Sequence, residues 1–369
     1  MKYYIIAGEA SGDLHGSNLM LKISEIDKTA EFRYWGGDKM KNNGGTMVEH
    51  YRNMAFMGFV EVIKNIKTIL RFINKCKVDI LKDNPDVLIL IDYPGFNLRI
   101  AKWAKKKGIK VVYYITPQVW AWHKSRVHIL GKYTDKLLVI LPFESDFFKK
   151  HGYEAIYVGH PLLDSVADFK CDPGLEQLKI NGKKILALLP GSRKQEINKM
   201  LPVMLEATKN TDFTILVAGA PSIEDTLYTE IIKNTGMQNK VHLIRNKTYD
   251  ILSVADSALV SSGTATLETA LFKVPQVVCY KGNAISYFIA KKLVDVQYIS
   301  LVNLIVGKEV VKELIQNEFT AENITKELKN LEVNRSRIIQ DYDNLILQLG
   351  LKGASERAAK QVIQLLQVS

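Results

Sequence analysis

Five short stretches of the chain set reactive side chains beside glycines or prolines that would expose them. Asp92-Tyr93-Pro94-Gly95-Phe96-Asn97 ends an apolar run with a carboxylate and then turns. A carboxylate so placed can act as a general base on a hydroxyl, and an Asp ahead of a helix can equally be an N-cap. Gly8-Glu9-Ala10-Ser11-Gly12-Asp13-Leu14-His15-Gly16 also follows an apolar run. Its amides can face an anion or a sugar, although glycines for a tight strand-to-helix turn explain the spacing as well. It is not G-x-G-x-x-G, so the dinucleotide fingerprint is absent. Thr116-Pro117-Gln118-Val119-Trp120-Ala121-Trp122-His123 puts two tryptophans next to a histidine. That suits sugar stacking, lipid contact or simple core filling. In Pro190-Gly191-Ser192-Arg193, the guanidinium can hold a diphosphate through charge-assisted, bidentate hydrogen bonds. Finally, Ser261-Ser262-Gly263-Thr264-Ala265-Thr266-Leu267-Glu268 opens a helix with small residues. Free amides at the positive end of a helix dipole suit a phosphate, with Glu268 one turn on in reach of ribose hydroxyls. A Ser/Thr-capped helix would look the same. The last two loops together point to a nucleotide-diphosphate site.

These stretches need a scaffold that presents loops, and the hydrophobic pattern supplies one. Apolar, β-rich runs occur at Tyr3–Ala7, Phe32–Trp35, Val87–Ile91, Lys110–Ile115, Leu137–Ile140 and Ala155–Val158. A second series follows at Lys184–Leu189, Phe213–Ala218, Val241–Ile244, Ser257–Val260 and Gln276–Cys279, with helical patterns between. Parallel neighbours need long crossovers, so strand–helix alternation means an α/β chain with parallel sheets. Two such series predict two Rossmann-like, doubly wound domains facing across a cleft, with ligands beyond the carboxyl ends of the strands. Breakers in 169–182 place the boundary there. The expected division is 1–170, 171–340 and a helical segment at 341–369 that packs back on a domain.

One segment departs from this plan. In Phe59–Lys77, Phe59, Val62, Ile63, Ile66, Ile69, Leu70 and Ile73 share a helical face, opposite Lys64, Lys67, Arg71 and Lys75. With the apolar Met54–Gly58 before it, this is either a core helix or a surface helix meeting acyl chains and anionic headgroups. Phe56, Met57 and Phe59 are the residues expected to contact lipid.

Composition bounds the rest. The 369 residues are 47% apolar and 24% charged, which excludes disorder. Fifty Lys+Arg against 39 Asp+Glu give a net charge of +11, compatible with a membrane surface, an anionic substrate or nucleic acid. The basic residues are scattered and no nucleic-acid motif is present, so nucleic acid is not expected. No apolar run reaches the ~20 residues of a membrane span. Cys76, Cys171 and Cys279 form no C-x-x-C, no H-x-x-x-H occurs and no D-x-D follows a strand. A reducing compartment and metal-independent chemistry are expected.

Taken together, GEASGD at 8–13, DYPGF at 92–96, TPQVWAW at 116–122, GHPL at 159–162, PGSRKQEI at 190–197 and SSGTATLETAL at 261–271 resemble the lipid-A-disaccharide synthases. Asn303-Leu304 and KELIQ at 312–316 are similar to late motifs of that family. The resemblance implies a GT-B fold and an inverting glycosyltransferase that condenses UDP-2,3-diacylglucosamine with 2,3-diacylglucosamine 1-phosphate (lipid X). The implied products are UDP and the β-1,6-linked disaccharide 1-phosphate of lipid A biosynthesis, with no cofactor. It implies Asp92 as base, Arg193 with Ser192 at the donor diphosphate, and Glu9, Ser11 and Asp13 lining the cleft. His15 is a secondary candidate there. Ser262, Gly263, Thr264 and Glu268 fall at the nucleotide-binding helix start, and Asn303 and Gln316 near the nucleotide. The base stays open among Asp92, Glu9 and His15. A location in the cytoplasm, peripheral to the inner membrane, and a homodimer with exchanged C-terminal parts are also implied. The alternatives are a UDP-N-acetylglucosamine 2-epimerase-like enzyme and a basic peripheral membrane-binding protein.

Overall fold

The computed structural model describes residues 1–54, 66–120, 125–171, 174–175, 183–282 and 297–367. Expectations for Phe56, Met57, Phe59, Trp122, His123 and the breakers at 172–173 and 181–182 lie outside the described residues.

The chain divides into two units, Met1–Asp164 with Leu351–Ser369, and Ser165–Gly350. The divisions fall at 164/165 and 350/351, against 170/171 and 340/341 in the sequence reading.

In the first unit seven strands run β1 (Lys2–Ala7), β2 (Glu31–Gly36), β3 (Thr46–His50), β4 (Val87–Ile91), β5 (Val111–Tyr114), β6 (Lys136–Val139) and β7 (Ile156–Tyr157). They pair in parallel in the order β3-β2-β1-β4-β5-β6-β7. Helices cover both faces, so the central strands are apolar at every residue; Val87-Leu88-Ile89-Leu90-Ile91 is buried throughout. The pleat then sorts these side chains. Leu88 and Leu90 join Ile73, Cys76 and Ile80 of the helix Ile66–Asp83 on one face. Val87, Ile89 and Ile91 join Leu19, Met20 and Ile23 of α1 (Ala10–Ile26) on the other. The final helix, Ala354–Gln367, completes that second face with Ala358, Ala359 and Val362. Asp164 accepts the Ala354 N–H at 3.1 Å and that of Gly353, fastening the start of this helix within the unit.

The helix Ile66–Asp83 runs further than the sequence pattern suggested and faces differently. Ile73, Cys76 and Ile80 are its buried stripe, whereas Leu70, read as part of the apolar face, is 51% exposed. The sheet beneath sets the stripe, which lies toward the C-terminal end of the apolar pattern and beyond it.

The second unit repeats the arrangement with β8 (Ile185–Leu189), β9 (Thr214–Gly219), β10 (Val241–Arg245), β11 (Ser257–Ser261), β12 (Gln276–Tyr280) and β13 (Lys312–Ile315). All pairs are parallel, in the order β10-β9-β8-β11-β12-β13. This is the Rossmann order, and in each sheet the direction of progression reverses once, between β1 and β4 and between β8 and β11. The loops after those four strands are the ones in which the sequence concentrates its reactive residues.

Candidate active site

At the first reversal point, the loop after β4 carries Asp92. Asp92 and Tyr93 both have left-handed backbones, with φ of 44° and 48°. Two such residues in succession, neither of them glycine, are strained and persist only where neighbours hold them. Here Asn97, fully buried, donates through Nδ2 to the Ile91 carbonyl at 3.1 Å and the Asp92 carbonyl at 2.8 Å. The Tyr113 hydroxyl donates to the Asp92 carbonyl at 2.6 Å, and the Tyr93 hydroxyl to the Met54 carbonyl at 2.9 Å. The following helix, Pro94–Lys106, begins with Tyr93 at its cap position and no side-chain cap, so Asp92 is not serving as an N-cap.

Burial, reinforced by the like charge of Glu9, pushes the Asp92 carboxyl up to about 6. The two loops are locked together at Gly8. A Cβ on Gly8 would lie 2.2 Å from the Tyr93 ring, so only glycine lets the ring pass beneath the first loop. Glu9 and Ser11 are exposed at the start of α1.

Asp13 is placed otherwise than expected. It is 3% exposed, and its carboxylate accepts the N–H groups of Gly37 (2.7 Å), Lys39 (3.0 Å) and Met40 (3.1 Å). Those amides open the short helix Asp38–Lys41, so Asp13 caps a neighbour and does not line a surface. His15, half-buried on α1, is driven down to about 4 by burial and by Lys39. His160 of the GHPL stretch is buried, accepts the Leu162 N–H at 3.2 Å, and is held at about 3 by burial and by His15.

Trp120 is core and not an exposed stacking platform. It is 7% exposed, edge-on to Phe143, and its indole donates to Glu144 at 3.2 Å. Glu144, missed in the sequence, also accepts the Leu141 and Ile140 N–H groups at 2.9 and 3.2 Å, tying the loops after β5 and β6. Burial raises its carboxyl to about 7.

At the second reversal point, the loop after β8 leads into the helix Lys194–Thr208. Arg193 occupies its cap position and is exposed. Glu196 reaches back to accept the Ser192 and Arg193 N–H groups at 3.2 and 3.3 Å and the Arg193 guanidinium at 2.8 Å. Gly191, at φ 108°, leaves room for it, since a Cβ there would lie 2.5 Å from Glu196 Oε2. The glutamate of PGSRKQEI is thus the capping partner that orients Arg193.

The loop after β11 opens the helix Thr264–Leu271 with no side-chain cap, while Gly263 and Thr264 are exposed. Its first amides are therefore open to an anion. Ser262 donates through Oγ to the Ile299 carbonyl at 3.0 Å. Glu268 accepts the Tyr249 hydroxyl at 3.0 Å, and burial raises its carboxyl.

Asn303 and Gln316 part company. Asn303 is fully buried: its amide donates to the Val311 carbonyl and to Glu313, and its oxygen accepts the Val310 and Val311 N–H groups. Its polar atoms are all engaged, which makes it a turn brace and not a nucleotide contact. Gln316 has φ 54° and a buried Nε2 with no partner among the described residues. This strained residue and its unpaired donor directly follow β13, at the carboxyl end of a strand. Among the described residues, no three His, Cys, Asp or Glu side chains are grouped to hold a metal ion. No described helix is long and apolar enough to cross a membrane.

The chain's similarity to known proteins covers nearly its whole length. The family described as lipid-A-disaccharide synthetase matches residues 3–365. The lipid-A-disaccharide synthase of Syntrophus aciditrophicus is 41% identical over 377 residues, covering 99% of this chain and 98% of the relative. That of Geobacter sulfurreducens is 36% identical over 380 residues, covering 98% and 96%. Among solved structures, a putative UDP-N-acetylglucosamine 2-epimerase from Listeria monocytogenes superposes with a TM-score of 0.70 at 13% identity, covering 100% of this chain and 97% of that one. The glycotransferase of kitacinnamycin gives 0.69 at 14%, covering 99% of both. At such identities the structural likeness establishes the fold, GT-B, and the epimerase alternative gains nothing more from it. The family rests on the sequence match: this chain belongs to the lipid-A-disaccharide synthase family and is a glycosyltransferase.

Proposed function

We propose that this glycosyltransferase joins UDP-2,3-diacylglucosamine to 2,3-diacylglucosamine 1-phosphate with inversion, releasing UDP and the β-1,6-linked disaccharide 1-phosphate of lipid A biosynthesis. The observation that carries the chemistry is Asp92, half-buried, strained and raised to about 6. A base near that value is ionised at neutral pH and still basic enough to accept a proton as the acceptor's 6-hydroxyl attacks the anomeric carbon of the donor sugar. His15, held at about 4, is a far weaker base. Glu9, exposed, acts through its charge on Asp92.

As the C1–O bond to the diphosphate breaks, negative charge grows on UDP. Arg193 and the open amides at Gly263 and Thr264 are suited to stabilise it. This reading needs no divalent ion and no cofactor. It assigns Gln316 and Glu268 to the nucleoside, whereas Asp13 and Asn303 support the backbone.

We place the enzyme at the cytoplasmic face of the inner membrane, held peripherally. In support, the outer face of the helix Ile66–Asp83 exposes Leu70, Val78 and Leu81 at 51%, 68% and 54% beside the cations Lys67, Arg71 and Lys82. Apolar side chains set among cations suit an anionic bilayer surface. The test is direct: purified protein given both acylated sugars, with and without a chelator. Disaccharide and UDP in equal amounts in both arms are expected. Absence of disaccharide, or consumption of UDP-N-acetylglucosamine instead, would overturn the assignment.

A further inference from the structure

Glu268 stands one turn inside the helix Thr264–Leu271, half-buried, and one of its oxygens is already engaged. The group engaging it comes from a different part of the sheet. Tyr249 belongs to the helix Thr248–Val254, which follows β10 at the edge of the second sheet, and its hydroxyl donates to Glu268 Oε1 at 3.0 Å. The ring itself has little freedom. It packs 5.6 Å from Phe169 and 5.1 Å from Phe272, and those two rings lie 5.5 Å from each other. Three aromatic rings in mutual edge and tilted contact hold the phenol at a fixed place. No other described side chain donates to Glu268, so its second oxygen is left over.

We infer that Tyr249 is a positioning residue for the donor nucleotide: it fixes the Glu268 carboxylate so that the remaining oxygen accepts hydrogen bonds from the vicinal hydroxyls of the ribose. The inference rests on the reading of Glu268 as a nucleoside contact. Its physical content is orientation and charge together. A carboxylate can accept from two hydroxyls, and a carboxylic acid must give one of its oxygens to its own proton. Burial favours the acid form of Glu268, and the hydrogen bond from Tyr249 opposes it. Among the described residues, burial and Tyr249 are the two influences on this carboxyl, and no charged side chain of a neighbouring element acts on it. Removing the phenolic oxygen therefore frees the carboxyl to rotate and lets burial raise it further.

Binding of UDP and of 2′-deoxy-UDP to the full chain tests this by calorimetry between pH 5 and 8. Both probes carry the same diphosphate, so its ionisation cancels in the ratio of affinities. The wild-type chain should prefer UDP by about 10-fold or more at pH 7.5, the scale of one hydrogen bond to a charged acceptor. That preference should fall as the medium turns acid and Glu268 takes up a proton. Tyr249→Phe keeps the ring and its packing. It should cut the preference about 3- to 10-fold at pH 7.5 and move its loss to higher pH, with affinity for inorganic diphosphate unchanged. Glu268→Gln should abolish the pH dependence, and Glu268→Ala the preference itself.

A Glu268→Ala chain that still prefers UDP would overturn the nucleoside reading. If Glu268→Ala loses the preference while Tyr249→Phe retains all of it with the wild-type pH profile, the role of Tyr249 is overturned and the nucleoside reading survives. Should Tyr249→Phe not fold, Tyr249→Met, which also lacks the hydroxyl, decides in its place, and a wild-type preference for UDP in that chain overturns the role of Tyr249.

Discussion

Replacing Asp92 by Asn should make the first unit more stable and the enzyme nearly inactive, and the stability gain should appear only above a defined pH. The structure sets the magnitude. Burial and Glu9 raise the carboxyl from an ordinary 3.8 to about 6. Keeping it ionised at neutral pH therefore costs the folded state about 3 kcal/mol at most, since the side chain is partly open to water. Asn is the fitting replacement, because it removes the charge and tolerates the left-handed backbone at φ 44°.

The sign follows from proton uptake. Below about pH 4 the carboxyl is protonated in both folded and unfolded chains, and the variant and wild type should be equally stable. Between about pH 4 and 6 the folded chain keeps a proton that the unfolded chain has lost. The contribution of this carboxyl to wild-type stability therefore falls with rising pH in that window, and the gap to the Asp92→Asn variant, in which His15, His160 and Glu144 titrate as in the wild type, opens there. Above about pH 6 the full difference holds. For a unit of this size it corresponds to roughly 6–12 °C in Tm. Thermal melts of both proteins at pH 4.5 and 8, followed by near-ultraviolet circular dichroism, read the difference. UDP release from the acylated substrates should fall at least ~10²-fold, with UDP affinity retained. A stability difference that is absent at pH 8, or equal at both pH values, would refute the burial argument. Turnover near wild type would refute the base.

For Arg193→Ala, loss of a charge-assisted contact should raise the KM for the UDP-sugar about 10- to 100-fold, measured by steady-state kinetics, and unchanged KM and kcat would remove it from the diphosphate site. Asp13→Ala leaves three N–H groups without their acceptor and should lower the stability of the first unit by about 3 kcal/mol. The kcat of its folded fraction should stay within about threefold of wild type, and lost activity at an unchanged Tm would show that Asp13 meets substrate after all. Joint replacement of Phe56, Met57 and Phe59 by Ser should reduce sedimentation with anionic vesicles, and unaltered partition would return that segment to the core.

The strands that the sequence reading missed have a shared cause. β3 (Thr-Met-Val-Glu-His) and β13 (Lys-Glu-Leu-Ile) are edge strands, paired on one side only, and both carry charged residues that break an apolar run. The central strands, covered on both faces, could not be mistaken. Likewise the helix Ile66–Asp83 was legible as a helix but not in its facing. Leu70 is apolar by type and exposed by position, because the sheet beneath decides which stripe is buried.

Sequence alone determined the fold class, the family and the motifs in the loops after β1, β4, β8 and β11. All three follow from local order: hydrophobic period, turn residues and short motifs survive as a string. Tertiary structure decided what each polar residue does, because a hydrogen-bond partner is supplied by whatever element folds against it. Asp13 and Asn303 looked like ligand contacts by motif and proved to be braces, with their partners at 37–40 and at 310–313. Glu196 stood in a motif without a role and Tyr249 carried no mark in the string, yet in space one orients Arg193 and the other holds Glu268. The raised carboxyl of Asp92 is of the same kind, since burial and the nearness of Glu9 arise only when the loops after β1 and β4 meet at Gly8.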